Sequence, residues 1–357
     1  MAARWWDSAP ALLERALRVS PDRLGVSWYR FGYGRLELDS DDEPLSLRFR
    51  QIYPEGTTDP EGSRDGPLRV RCTVRSLEDP NVAGIAFEDP EDLDGIEFCR
   101  ALFPDRSYIT GPPGAPGWGT ISLSERPLEP LVAMSGNFAI VDRRQVWQPL
   151  IANLAVNRVL RLQRNVLFFH AASAQIGRSG VMLVGSKGSG KTTTSLTLAS
   201  RGHGFLGDEV AAVCADTREM LPFRRAASIR AGIRTSGVTR RLADGNFPTE
   251  TFPDGSARVL ANVADLFPDA IASPAKLDTI FFLRGFGSQA SVEQFSFGLE
   301  KFHLLTPLAC SMWGVPTGLR MLQISRMLGE VRCYYLDPGS PDETAELLEQ
   351  LAKGWLN

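Results

Sequence analysis

Gly185-Ser186-Lys187-Gly188-Ser189-Gly190-Lys191-Thr192 matches the pattern G-x-x-x-x-G-K-[ST] at every fixed position. An apolar run at residues 181–184 precedes this stretch, and residues 193–201 predict a helix that ends before Gly202. Strand, glycine-rich loop and helix in this order are typical of a loop that binds phosphate groups. The sequence therefore predicts a nucleotide-binding α/β domain built around residues 185–192.

The residue types of this loop are suited to binding the phosphate groups of a nucleotide. Glycines let successive backbone N–H groups turn toward an anion, and the following helix adds the positive end of its dipole. We expect Lys191 to contact the β- and γ-phosphates and the Thr192 hydroxyl to ligate a metal ion. The predicted cofactors are ATP and Mg²⁺, and the predicted nucleotide contacts are Gly185, Ser186, Lys187, Gly188, Ser189, Gly190, Lys191, Thr192, Thr193 and Arg224.

Two carboxylates follow closely after the loop. Asp208 and Glu209 end the next short apolar strand, and Asp208 comes 17 positions after Lys191. Side chains at that strand end face the crevice at the carboxyl edge of the sheet, beside the γ-phosphate. One carboxylate could accept the proton of a hydroxyl group while the other holds the metal ion. A hydrolytic pair that activates water, or a solvated turn, is the alternative interpretation.

Three further short segments near the glycine-rich loop match a known family pattern. They are His170-Ala171-Ala172-Ser173 before the loop, Arg201-Gly202-His203 after the helix, and the closing pair Asp208-Glu209. With the loop, this stretch of about 40 residues resembles the catalytic domain of the HPr kinase/phosphorylase family. The resemblance implies a P-loop kinase fold in which Asp208 is the catalytic base, Glu209 serves the metal or relays a proton, and His170 lies beside the phosphates. The predicted catalytic residues are thus Asp208, Glu209, His170 and Lys191, and the predicted metal ligands are Thr192, Asp208 and Glu209.

Two departures from the family pattern bear on the reaction. The second carboxylate is Glu209 where the family has aspartate, and the chain has no counterpart of the family's Glu-Ile-Arg-Gly-Leu-Gly signature. That signature is associated with the reverse, phosphorolytic reaction, and the nearest basic segment, residues 228–234, lacks its acidic residue. The sequence therefore favours a relative that acts as a kinase only.

The predicted function is transfer of the γ-phosphoryl group of ATP to a hydroxyl, with a serine of a protein or peptide as the acceptor. A kinase for a sugar or an amino acid and an ATP-hydrolysing nucleotide switch are the alternatives. Arginine's planar fork suits phosphate oxygens, so Arg224 and its neighbour Arg225 are candidate phosphate contacts or else surface ion pairs. We expect His170 and Arg224 to act as supporting charges.

The N-terminal part of the chain has a different pattern. Residues 24–33, 45–52 and 68–74 are β-like runs separated by charged, turn-rich stretches. Residues 148–163 predict an amphipathic helix that bridges the two halves. We therefore expect a mostly β (α+β) accessory or acceptor-recognition domain over residues 1–142, followed by the α/β P-loop kinase domain over residues 143–357. Within the second part, residues 226–255 predict a flap and residues 294–305 a helix.

The composition is ordinary for a globular protein of 357 residues, with 43% apolar and 23% charged residues and a net charge of −3. This charge argues against a general nucleic-acid binder, and no stretch reaches the roughly 18 to 20 apolar residues of a membrane span. The five cysteines are scattered and predict reduced core thiols. Without a recognisable signal peptide, we expect a cytoplasmic protein, which by the family resemblance could form a homo-oligomer.

Overall fold

The computed structural model describes residues 26–54, 68–77, 81–90, 108–110, 118–121, 132–135, 137–143, 148–230, 236–251, 257–296, 298–305 and 318–354. The chain divides into two compact units. One comprises residues 1–50, 55–164 and 311–315, and the other comprises residues 51–54, 165–310 and 316–357. The main division follows residue 164, whereas the sequence predicts it after residue 142.

The bridging helix explains where the division falls. Gln163, just beyond this helix, accepts a hydrogen bond from the backbone N–H of Tyr33 at 2.9 Å and donates one to the Phe31 carbonyl oxygen at 2.9 Å. Both partners lie in the first unit. The helix therefore belongs to the first unit. The sequence pattern places the boundary after the last N-terminal strand and does not show that this helix packs with the preceding strands.

The first unit contains a sheet with strand order β1-β2-β3-β4-β8-β7-β6-β5, in which β2 and β3 are parallel and the other neighbours antiparallel. The expected β character is present together with helices. The elements are β1 (Val26–Phe31), β2 (Gly34–Ser40), α1 (Glu43–Ile52), β3 (Arg69–Ser76), β4 (Val82–Glu88), β5 (Tyr108–Thr110), β6 (Trp118–Ile121), β7 (Val132–Ser135), β8 (Phe138–Asp142) and α2 (Gln148–Arg161).

The strand expected at residues 45–52 is wrong, because this segment lies in helix α1. Its apolar residues Leu45, Phe49 and Ile52 recur at helical spacing, and all three are buried. The backbone N–H of Leu45 donates to Asp42 Oδ1 at 2.7 Å, which caps the helix start. A helix here also fits the topology, since the parallel strands β2 and β3 need a crossover connection.

The second unit is a mixed α/β structure. A nine-stranded sheet has the path β12-β10-β11-β18-β14-β13-β9, with β20 beside β18 and β19 beside β20, and a small sheet has the order β15-β17-β16. The elements are β9 (Val166–Phe169), β10 (Ala171–Ile176), β11 (Ser179–Gly185), α3 (Lys191–Ser200), β12 (Gly204–Gly207), β13 (Ala211–Cys214), β14 (Glu219–Leu221), β15 (Ala227–Arg230), α4 (Ser236–Asp244), β16 (Thr249–Thr251), β17 (Ala257–Ala261), α5 (Val263–Leu266), β18 (Ala275–Leu283), β19 (Ser291–Phe295), α6 (Gly318–Leu328), β20 (Arg332–Asp337) and α7 (Pro341–Gly354).

Four strands of the large sheet run in the same direction. Strands β11 and β12 are both antiparallel to β10, whereas β18 is parallel to β11 and β20 is parallel to β18. The carboxyl ends of β11, β12, β18 and β20 therefore meet at one edge of the sheet, where open α/β sheets bind ligands. Because β10 runs the other way, its first residues lie at this same edge.

Strand β11 is buried on both faces. Val181 and Leu183 belong to an apolar cluster shared with α3 and α7, whereas Met182 and Val184 belong to a second cluster shared with α6. Successive strand residues point to opposite faces of a sheet, so a strand covered on both sides is a continuous apolar run. This burial fixes the position from which the glycine-rich loop leaves the sheet.

Two further segments of the second unit differ from expectation. The helix predicted at residues 294–305 is wrong, because β19 ends at Phe295, whose ring stacks on Tyr335 of β20 with centroids 4.3 Å apart, and a 3₁₀ turn follows over Leu299–Leu304. The segment predicted as a flap, residues 226–255, contains helix α4 and the strands β15 and β16, and both strands pair with β17 in a small sheet. Cys72, Cys214 and Cys333 are buried thiols, and Cys99 and Cys310 lie outside the described residues.

Helix α7 is fastened to the C-terminal end of α3, the helix that follows the loop. Glu349 accepts hydrogen bonds from Arg201 Nε at 2.7 Å, from a second Arg201 nitrogen at 2.9 Å, and from His203 Nε2 at 2.9 Å. The hydrogen bonds from Arg201, together with that from His203, lower the pKa of Glu349 from 4.5 to about 2. The lowered pKa means that the folded state stabilises the ionised form of the Glu349 carboxylate.

We expect Glu349→Gln to lower the free energy of unfolding by about 1 kcal/mol near pH 7, a small value because solvent screens partly exposed pairs. Since the folded pKa lies below the unfolded one, the contribution is complete above about pH 4.5 and disappears as the pH falls through about 2. Denaturant titrations at a series of pH values should therefore show the wild type and the variant converging in acid. A difference that stays constant with pH would contradict this assignment.

Candidate nucleotide-binding and catalytic site

The glycine-rich loop leaves β11 at Gly185 and enters α3 at Lys191. Gly190 precedes the helix with a φ of 103°, a conformation that side chains disfavour. At Gly185 a Cβ atom would lie 2.5 Å from Ser189 Oγ and 3.0 Å from the Leu283 carbonyl oxygen. Both fixed glycines of the pattern are therefore required by the local backbone and its neighbours.

Lys191 lies folded back over the loop. Its Nζ donates to the Gly185 carbonyl oxygen at 2.7 Å and to the Ser186 carbonyl oxygen at 3.1 Å. Burial lowers the pKa of Lys191, and the carboxylates of Asp208 and Glu209 oppose this shift. The two hydrogen bonds hold the ammonium group over the loop that the sequence predicts to bind phosphates.

Asp208 and Thr192 are in direct contact. The Thr192 hydroxyl donates to Asp208 Oδ2 at 2.9 Å, while the buried Oδ1 has no hydrogen-bond partner among the described residues. Burial raises the pKa of Asp208 from 3.8 to about 6, the charge of Glu209 adds to this, and the Thr192 hydrogen bond opposes it. A buried carboxylate with one unpartnered oxygen is a group able to accept a proton or ligate an ion.

Glu209 has an unusual backbone for a residue with a side chain. Its φ is 71°, in the left-handed region, where residues other than glycine, asparagine and aspartate are uncommon. Its Oε2 forms an ion pair with Arg225 at 2.7 Å, and its carbonyl oxygen lies 3.1 Å from His170 Nδ1. Backbone strain of this kind is characteristic of functional sites, and here it occurs at one of the two carboxylates that the sequence singles out.

His170 stands at the break between β9 and β10. Since a carbonyl oxygen only accepts, the contact with Glu209 assigns the proton to His170 Nδ1 and leaves the lone pair of a neutral ring on Nε2. Burial lowers the pKa of His170, and the charge of Lys191 lowers it further. The lowered pKa favours the neutral imidazole near pH 7, and the supporting role of His170 beside the phosphates stays a prediction.

Comparison with models of protein families and with curated proteins finds no match for this chain. Comparison with solved structures does find matches. One is the HPr(Ser) kinase/phosphatase from Coxiella burnetii. It is 15% identical, with a TM-score of 0.28, and the match covers 52% of this chain and 88% of that one. A likeness at this level leaves the function to be inferred from the residues of the site.

The two arginines that follow β14 have different surroundings. Arg224 donates to the Ala272 carbonyl oxygen at 2.6 Å, whereas Arg225 forms the ion pair with Glu209. Arg225, rather than the predicted Arg224, thus contacts a candidate catalytic residue. Tyr53, also in the second unit, is buried, and burial raises its pKa to about 12 while Arg225 lowers it and Glu209 raises it. The sequence gives no signal for Tyr53, because the fold alone brings residue 53 near residues 209 and 225.

The remaining loop residues divide into an exposed tip and a buried base. Ser186, Lys187 and Gly188 are exposed. Ser189 is buried, and its Oγ has no hydrogen-bond partner among the described residues. Thr193, in the first turn of α3, is partly exposed. The structure thus brings together Lys191, Thr192, Asp208, Glu209 and His170, while Lys187 lies at the exposed tip and Arg224 donates to the Ala272 carbonyl oxygen.

The oxygen groups of the site fit a magnesium ion that is also held by phosphates. In the part of the chain that the structure describes, no three His, Cys, Asp or Glu side chains are grouped as a metal site. Mg²⁺ is commonly bound through one or two protein oxygens together with water and substrate phosphates. The oxygen of the Thr192 hydroxyl, whose proton is donated to Asp208, supplies that kind of ligand.

Among the helices of the described residues, none combines the length and the apolar character that crossing a bilayer requires.

Proposed function

We propose that this protein is an ATP- and Mg²⁺-dependent phosphotransferase resembling HPr kinases, which transfers the γ-phosphoryl group to a serine hydroxyl of a protein or peptide. The observation that carries the proposal is the buried Asp208 carboxylate. One oxygen is fixed by the hydroxyl of the loop residue Thr192, and the other has no hydrogen-bond partner among the described residues. An acceptor hydroxyl needs such an oxygen within reach of the γ-phosphate.

The proposed reaction uses each group at a stated atom. The acceptor oxygen forms a bond to the γ-phosphorus as the bond to the bridging oxygen of ADP breaks, and the hydroxyl proton passes to Asp208 Oδ1. Lys191 neutralises charge on the β- and γ-phosphates, for which it must exchange its hydrogen bonds to the loop carbonyls. Mg²⁺, when bound, would offset phosphate charge, with the Thr192 oxygen as its protein ligand. Arg225 holds Glu209 beside the base.

One observation also favours an ATP-hydrolysing nucleotide switch. Glu209 directly follows an aspartate that is hydrogen-bonded to the loop threonine, and its carboxylate is partly exposed. A glutamate in this position could orient water in place of an acceptor hydroxyl. In that case Glu209→Gln should impair hydrolysis more than Asp208→Asn does, while ATP binding persists.

The test is phosphate transfer from γ-labelled ATP with Mg²⁺ to a cell extract separated into proteins and small molecules. We expect label on one discrete protein, at an acid-stable serine phosphate. Label on a sugar or an amino acid would show that the acceptor is a small molecule rather than a protein. Free phosphate as the only labelled product would overturn the kinase and support the switch.

A further inference from the structure

Phe286 lies beside the phosphate loop, at the edge where the parallel strands end. The loop after β18 carries it, and its ring atoms Cζ and Cε1 lie 3.2 and 3.4 Å from the position that a Cβ on Gly190 would take. Pro338, in the turn after β20, lies 3.8 Å from the same position. The ring therefore stands next to the residue that precedes helix α3.

The Phe286 side chain is 63% exposed although its backbone is well anchored. The N–H of Gly287 donates to the Pro338 carbonyl oxygen at 2.8 Å, and the N–H of Arg284 donates to the Leu336 carbonyl oxygen at 3.0 Å. The guanidinium of Arg284 also donates to Asp337 Oδ1 at 2.9 Å. The fold thus anchors the backbone on both sides of an aromatic ring that is exposed to solvent.

The fold itself gains little from this arrangement. A single exposed apolar residue needs no explanation on its own, but this one is placed against the loop that the sequence assigns to phosphates. The phosphates of a nucleotide bind at the loop and at the start of the following helix, so the nucleoside extends outward from that point. A fixed aromatic ring at the rim of the loop can stack on the base there, as aromatic side chains do with nucleic-acid bases.

We propose that Phe286 is the surface on which the purine base of the bound nucleotide stacks, with Pro338 bordering it. This assignment rests on the proposed use of ATP and adds the residue that recognises the base rather than the phosphates. The loop at residues 185–192 contacts the phosphates, and Phe286 distinguishes a nucleotide from a simple polyphosphate.

The test compares ATP with inorganic tripolyphosphate, which has the three phosphates but no base. Calorimetric titrations with Mg²⁺ would use the full-length wild type, Phe286→Ala and Phe286→Tyr. We expect Phe286→Ala to weaken ATP binding about tenfold, the usual range for loss of one stacking partner, and to leave tripolyphosphate binding unchanged. Phe286→Tyr keeps the ring and should bind ATP within about twofold of the wild type.

Leu322, an exposed apolar residue of α6, provides the matched control for removal of apolar surface. We expect Leu322→Ala to bind both ligands as the wild type does. Equal ATP affinity of the wild type and Phe286→Ala, or equal weakening of both ligands, would overturn the stacking role while leaving the proposed phosphate site intact. Failure of the wild type to bind either ligand would overturn the stacking role and the proposed function together.

Discussion

Replacing Asp208 with asparagine is expected to slow phosphoryl transfer by about 10²- to 10⁴-fold, the usual contribution of a general base. The amide oxygen can still accept the hydrogen bond from Thr192, so the loop should keep its geometry and its affinity for ATP. Single-turnover transfer and equilibrium binding of ATP would be measured side by side. Glu209→Gln is the matched control, since it removes the neighbouring charge and leaves the Asp208 oxygens in place.

Two outcomes would contradict this role for Asp208. One is transfer by Asp208→Asn at a rate close to that of the wild type. The other is a parallel loss of ATP binding, which would make Asp208 a binding residue rather than the base. A larger loss in Glu209→Gln than in Asp208→Asn would assign proton transfer to Glu209 instead.

The second large effect is expected at Lys191, where Lys191→Ala should weaken ATP binding roughly 10- to 100-fold, as loss of hydrogen bonds to a charged group implies. The buried ammonium is held over the loop by two carbonyl oxygens and can exchange them for phosphate oxygens. Equilibrium dialysis with ATP and Mg²⁺ would measure the change.

Lys187→Ala provides the comparison within the same loop. Its side chain is exposed at the tip, and the loop acts on phosphates mainly through its backbone, so we expect a loss of less than about threefold. Equal losses in the two variants would indicate that overall positive charge, rather than the position of Lys191, governs binding.

Many strands and helices of the second unit can be predicted from the sequence, because short stretches of neighbouring residues mark where they begin and end. The strand before the loop and the strand that ends at Gly207 are each marked by a short apolar run and a glycine, and the helix between them ends before Gly202. The contact between Thr192 and Asp208 could be anticipated for the same reason. Thr192 follows β11 and Asp208 follows β12, two strands on either side of β10 whose carboxyl ends meet at one edge of the sheet.

Other features depend on contacts between distant parts of the chain. Residues 45–52 alternate enough to suggest a strand, yet burial of Leu45 and Phe49 on one side makes them a helix. Arg225 and Tyr53 are near Glu209 only because the fold brings them there. The lowered pKa of His170 follows from its burial and from the charge of Lys191, which no spacing in the sequence expresses.

The four parallel strands of the second unit also separate the tasks of the site. The loop after β11 is the proposed phosphate site, the turn after β12 carries the carboxylates, and the loop after β18 presents Phe286, each from its own strand end. Strand β11, which precedes the glycine-rich loop, is buried on both faces. In the proposed function, base recognition, phosphate contact and proton transfer would therefore be divided among loops that leave one buried frame.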